Sequence, residues 1–160
     1  MSAFQGRWLF RRQVCDSNGV VTARAEGTLS FTPDRDGLEA MEISDLRLPG
    51  QAPIRGERRT LWRQDGAGIA VFFGDGRPFH RFDPSAEQPG ARHDCAPDLY
   101  RVIYDFSAWP IWSSCWRVTG PRKDYVMRSR HARDSAALAS DGESGQDKKN
   151  RQETWEWPEQ

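Results

Sequence analysis

The sequence has no apolar run approaching the roughly 20 residues that cross a bilayer as a helix. Its start, Met-Ser-Ala-Phe-Gln-Gly-Arg-Trp, lacks a charged segment followed by an apolar one. Neither a membrane span nor a secretory leader is expected. Cysteine is scarce: Cys15, Cys95 and Cys115 are odd in number and widely spaced, which gives no disulfide framework. A cytoplasmic protein with reduced thiols is the expectation. Lysine is almost missing from residues 1–132, where Lys123 stands alone beside 18 arginines. Those 19 cations face 16 acidic residues, a surplus too weak and scattered to predict a nucleic-acid partner. A Gly-rich phosphate loop, a dinucleotide fingerprint and a Ser-centred nucleophile elbow are all absent. Hydrophobic residues amount to 37%, below the roughly 45–50% of an average globular chain.

Aromatic residues are plentiful, with seven Trp, eight Phe and three Tyr. A core built from a few such rings is expected, each burying about 150–250 Å². Short stretches of alternating polarity, divided by turn residues, predict an all-β domain. Gly6 to Val14 reads as a first strand. Val20 to Phe31 alternates cleanly, and its small residues at 23, 25 and 27 predict a sharp bend of the kind barrels need. Leu38 to Leu48 and Ile54 to Gln64 follow. Gly68 to Phe73 and Arg77 to Phe82 form a hairpin around Gly74-Asp75-Gly76, since Asp-Gly suits a turn with positive φ. Asp83 to Pro97 reads as a long polar loop, and Leu99 to Phe106, Ile111 to Gly120 and Asp124 to His131 as the last strands. The count is eight to ten strands without a convincing helix. Residues 1–132 are expected to form the barrel, and residues 133–160 a polar, disordered tail in which Trp155 and Trp157 are the exceptions.

Strand periodicity selects an inner face. If Trp8 points inward, so does Arg12. Tyr100, Val102, Tyr104 and Phe106 share a face. So do Trp112, Ser114, Trp116 and Val118, and likewise Lys123, Tyr125, Met127 and Ser129. Large rings with a few hydroxyls and cations are the make-up of a ligand pocket. A wholly packed core would instead favour Leu, Ile and Val. The expected walls are Trp8, Phe79, Tyr100, Tyr104, Trp112, Trp116 and Tyr125. Arg12, His80 and Lys123 would orient a polar end of a small hydrophobic or aromatic molecule.

The same residues are also open to other chemistry. His80, His93 and Cys95 could bind zinc, but His93-x-Cys95 is a poor metal spacing, and no Cys-x-x-Cys or His-x-x-x-His occurs. His80 or His93 could serve as an axial haem ligand. Neither zinc nor haem is favoured, and no cofactor is expected. His80 or His93, oriented by Asp83 or Asp98, could act as a general base in a cofactor-free isomerase, cyclase or hydrolase. Gly120-Pro121-Arg122-Lys123 could meet an anion or be a solvated hairpin. A scaffold for a protein partner is the third reading.

Gly6-Arg7-Trp8 at the start of an all-β chain resembles the Gly-x-Trp that opens many lipocalins and related calycins. The resemblance implies a Trp closing one end of an antiparallel barrel, covered by an Arg from a late strand, for which Arg122, Arg128 and Arg130 are counterparts. A second set of motifs is more specific: Asp75 to Asp83, His93 to Tyr100, Trp112 to Trp116 and Gly120 to Tyr125. Together they resemble the uncharacterised family numbered 6314 among the domains of unknown function, over about residues 4–132. That resemblance implies a fold and no activity.

Overall fold

A computed structural model of the chain describes residues 1–134. The expected tail, with Trp155 and Trp157, lies outside them except for Arg133 and Asp134. Among the described residues ten strands run in chain order: β1 (Gly6–Asp16), β2 (Val21–Asp34), β3 (Gly37–Arg47), β4 (Ile54–Asp65), β5 (Gly68–Phe73), β6 (Pro78–Phe82), β7 (Gly90–Cys95), β8 (Asp98–Asp105), β9 (Trp112–Gly120) and β10 (Lys123–Arg133). A single turn of 3-10 helix, Ser2–Phe4, precedes them. No helix among the described residues is long and apolar enough to cross a membrane.

All pairings are antiparallel, and the sheet order is β6-β5-β4-β3-β2-β1-β10-β9-β8-β7. The meander closes where β1 meets β10 and stays unladdered between β6 and β7, so the barrel is nearly closed. Rings bridge the seam: Phe79 of β6 meets His93 of β7 edge-on at 5.0 Å. The turns follow local chemistry. Asp75 Oδ1 accepts the Arg77 amide, and Gly76 takes φ 87° in the β5–β6 hairpin.

The small residues of β2 earn their place through packing. A Cβ on Gly27 would stand 2.0 Å from the carbonyl oxygen of Ile43 on β3. Only glycine therefore allows the two strands to approach there. Leu29 and Phe31, on the same face, enter the core.

One end of the barrel is plugged by aromatic rings. Trp8 is completely buried, and its Nε1 donates to the Phe4 carbonyl at 2.7 Å. The Phe4 ring lies between 5.2 and 6.0 Å from those of Phe31, Trp62, Trp109 and Trp112. The arginine over Trp8 is Arg133, with its guanidinium carbon 4.1 Å from the ring centroid. This corrects the expectation of Arg122, Arg128 or Arg130. Arg122 sits in the β9–β10 turn. Arg128 and Arg130 are exposed on the phase of β10 that points away from the core. The strand β10 thus runs to Arg133.

A second correction concerns Asp83 to Pro97, expected to be a loop. It contains β7, which pairs with β8 from Gly90↔Ile103 to Cys95↔Asp98. The strand Gly-Ala-Arg-His-Asp-Cys has no β-branched residue and carries an outward Arg92–Asp94 ion pair at 2.8 Å. Charge on an edge strand discourages further pairing and also hides the strand from pattern reading.

Candidate functional site

Above the aromatic plug the interior opens into a cavity of about 50 Å³. By volume this accommodates a few waters. Rings form much of its wall: Trp62, Phe79, Tyr104, Trp112 and Trp116. Phe79 stacks on Trp116 with centroids 5.3 Å apart and planes 3° from parallel. A shift of register between Val71 and Phe72 in the β5–β6 pairing breaks the simple alternation. As a result Phe79 and its neighbour His80 both line the cavity.

A charged network crosses the interior. Arg12 of β1 reaches over β2, where its cross-strand partner is the small Ala25, to Glu42 of β3. The contact is bidentate, with both N–H···O distances 2.8 Å. Arg12 Nε also donates to Ser129 Oγ at 2.8 Å. Arg58, the direct partner of Glu42 on β4, adds one contact to Oε2 at 3.1 Å. Burial alone would raise the Glu42 pKa. The Arg12 hydrogen bonds and the charges of Arg58 and Arg12 outweigh that effect and hold it at about 2. Glu42 is therefore an ionised carboxylate in the core.

Two imidazoles face the same cavity. His80 Nε2 lies 2.8 Å from the Tyr104 hydroxyl. Burial, with Arg58 and His93 nearby, pushes the His80 pKa down to about 3. His131 stacks on Trp112 at 3.7 Å and 8°. Burial and the Arg12 charge push it to about 3 as well. Both rings are neutral at pH 7. Burial raises the Tyr104 phenol, which stays protonated. Among the described residues three buried ring nitrogens have no hydrogen-bond partner: His80 Nδ1, Trp112 Nε1 and His131 Nδ1. Buried polar atoms are rarely left this way.

The residues singled out from sequence divide into groups. Arg12, Phe79, His80, Tyr104, Trp112 and Trp116 line the cavity. Trp8 lies in the plug beneath it. Tyr100, Lys123 and Tyr125 do not line it and gather at the opposite rim, where Lys123 Nζ meets Asp98 at 2.6 Å and the Tyr100 hydroxyl at 2.8 Å. Those bonds to Asp98 and Tyr100 raise the Lys123 pKa. His93 packs in the seam against Phe73 and Phe79. Among the described residues no carboxylate hydrogen-bonds to either histidine: Asp98 is engaged by Lys123, and Asp83 by Ser85. Cys95 is exposed, and among the described residues no three His, Cys, Asp or Glu side chains converge as a metal site.

Glu42, Arg58 and His131 escaped the sequence reading, although their phase was visible. Glu42 falls between inward Ala40 and Ser44, Arg58 two residues before Thr60, and His131 two beyond Ser129. A charged residue on an apolar phase is the signal that finds them.

The model of a family of unknown function (DUF6314) matches residues 4–133. No curated protein matches the sequence. Among solved structures, the S-type phycobiliprotein lyase CPES from Guillardia theta is similar at a TM-score of 0.58 and 8% identity, over 83% of this chain and 89% of that one. At that identity the likeness concerns the fold.

Proposed function

The chain belongs to the DUF6314 family, and because that membership carries no activity we propose from the site itself that the barrel binds a small molecule with an apolar, ring-containing body. One observation carries the reading: an aromatic-walled cavity encloses a charged network and three ring nitrogens without partners. A core selected for stability alone gains little from such groups, because a buried ion pair roughly breaks even against well-packed apolar side chains. Pockets, by contrast, combine apolar walls with a few placed polar atoms. That the neighbour in fold is a phycobiliprotein lyase is compatible with an occupied barrel. A cavity of about 50 Å³ requires a side chain to move before a ring can enter. Phe79 is the candidate, on an edge strand beside the unladdered seam.

Catalysis by a histidine base has weaker support. An imidazole held near pKa 3 accepts a proton poorly at neutral pH, where general bases work best close to the ambient pH. Haem ligation by His80 is also weakly supported, since the Tyr104 hydroxyl occupies Nε2.

The test is an ultraviolet–visible spectrum with native and denaturing mass spectrometry on the full chain purified without added ligand, followed by titration with aromatic probes. A small molecule lost on denaturation, or saturable probe binding that His80→Ala weakens only modestly, supports a binder. A His80→Ala loss of turnover of about 10²–10⁴-fold on some substrate would instead identify a base. Bare sequence mass together with no probe binding overturns the pocket reading.

A further inference from the structure

We infer that the ligand is a carboxylic acid and that Arg58 holds its carboxylate. This deepens the pocket reading and rests on it.

The argument begins with charge. The cavity lining has two guanidinium groups, Arg12 and Arg58, and one carboxylate, Glu42. The imidazoles of His80 and His131 add no charge at pH 7. Arg12 and Glu42 neutralise each other through the bidentate pair, and Ser129 takes the remaining Arg12 Nε. Arg58 is the surplus. Its side chain is 46% exposed, and among the described residues its partner is Glu42 alone, through Nη2. The rest of its planar donor fork is free to meet an anion at the cavity mouth. Arginine forks match carboxylates in shape.

Two of the three unpartnered atoms point the same way. Trp112 Nε1 can only donate. The buried Tyr104 phenol has one proton to give, and His80 Nε2 is the partner in reach at 2.8 Å. Nε2 therefore accepts, and the neutral ring carries its own proton on Nδ1, which has no partner. The residues lining the cavity thus supply a cation and carry two unpartnered N–H donors. Their complement accepts hydrogen bonds and carries one negative charge. A carboxylate accepts only and is a monoanion, whereas a phosphate dianion would leave one charge uncompensated beside Glu42. The apolar body of the acid then meets the rings of Phe79 and Trp116.

The experiment is calorimetric titration of the full chain at low ionic strength with naphthalene-2-carboxylate and, separately, naphthalene-2-carboxamide. The acid is expected to bind about tenfold more tightly or better, as for a hydrogen-bonded charge pair. Arg58→Met should remove that preference while keeping the amide affinity, and Arg58→Lys should restore part of it. Arg55→Met, on the same strand but paired outside with Asp45, is the control and should change nothing. Equal binding of acid and amide overturns the carboxylate assignment and leaves the pocket intact. An equal loss with Arg55→Met also overturns it, because general surface charge then explains the preference. Binding of neither probe overturns the pocket reading as well.

Discussion

Arg133 lies over the indole of Trp8 with its guanidinium carbon 4.1 Å from the ring centroid, joining the last described strand to the first. Its Nη atoms also donate to the carbonyls of Gln5 and Ala3, so it holds the 3-10 turn over the aromatic plug. Arg133→Ala should destabilise the barrel by about 1–2 kcal/mol, combining a cation–π contact with lost charged hydrogen bonds. Arg130→Ala, exposed and on the other phase of the strand, should stay within about 0.5 kcal/mol. Chemical denaturation of the two variants checks this. Equal effects would mean that the Trp8 contact does not set the closure.

The barrel was legible in the sequence because its turns and alternation are local. Asp16 to Gly19 and Gly74 to Gly76 mark hairpins by residue type alone, and β2 alternates without interruption. Arg133 was hidden because the composition changes at that residue, although it keeps the inward phase of Ser129 and His131. The strand β7 was hidden because its stability comes from β8 rather than from its own propensity. The Arg12–Glu42–Arg58 network depends on register. Glu42 and Arg58 are direct cross-strand partners, while Arg12 reaches Glu42 over a strand of small residues. Periodicity can flag each as a charge on an apolar face. Only the pairing shows that two of them neutralise each other and that the third is left over.

Breaking the network should be more costly than removing it. Glu42→Leu leaves the Arg12 guanidinium buried without its counter-ion, and such a loss costs about 3–5 kcal/mol. Arg12→Met combined with Glu42→Leu should cost clearly less than the sum of the single changes, because no charge is then stranded. Urea unfolding of the two singles and the double measures the coupling. Strict additivity would rule out the pairing as described.

The histidines and Glu42 should impose two overlapping windows of acid sensitivity, of which the histidines' opens first as pH falls. His80 and His131 fall from 6.5 to about 3 on folding, so between those values the unfolded chain binds more protons than the native one. Stability should therefore decline as pH falls below about 6.5. Glu42 falls from 4.5 to about 2. Its contribution is complete above 4.5 and is lost only as pH drops further, through 2. Thermal melts between pH 7.5 and 5 isolate the histidine window. His80→Gln should flatten that slope by about one proton. An unchanged slope would show that His80 is not held neutral by burial.

Gly27 gives a sharper test of the barrel's bend. Gly27→Ala would place a methyl against the Ile43 carbonyl oxygen, in rigid backbone that cannot swing aside. A loss of more than about 3 kcal/mol is expected, since overpacking alone typically costs about 1–3. Gly50→Ala supplies the comparison. At φ 71° its backbone strain remains, but nothing lies within 4 Å of the added carbon, and a loss of about 1–2 kcal/mol should follow. Similar losses for both would mean that β2 and β3 are not forced together at Gly27.

Phe79 decides how anything reaches the cavity. It belongs to the edge strand β6, stacks on Trp116 and touches His93 across the seam, so its ring can turn without breaking a ladder on that side. Phe79→Ala should cost about 1–2 kcal/mol, less than the roughly 3–5 of a fully buried Phe, because the ring is only partly buried. The same change should speed association of an apolar ring probe, since the step that delays entry has been removed. Trp116→Ala, which deletes a buried wall, should cost more stability and should also weaken binding. Stopped-flow association rates set beside denaturation curves separate these effects. Unchanged association kinetics in Phe79→Ala would place the entry elsewhere, and the half-exposed Arg58 side of the cavity would then be the next to open.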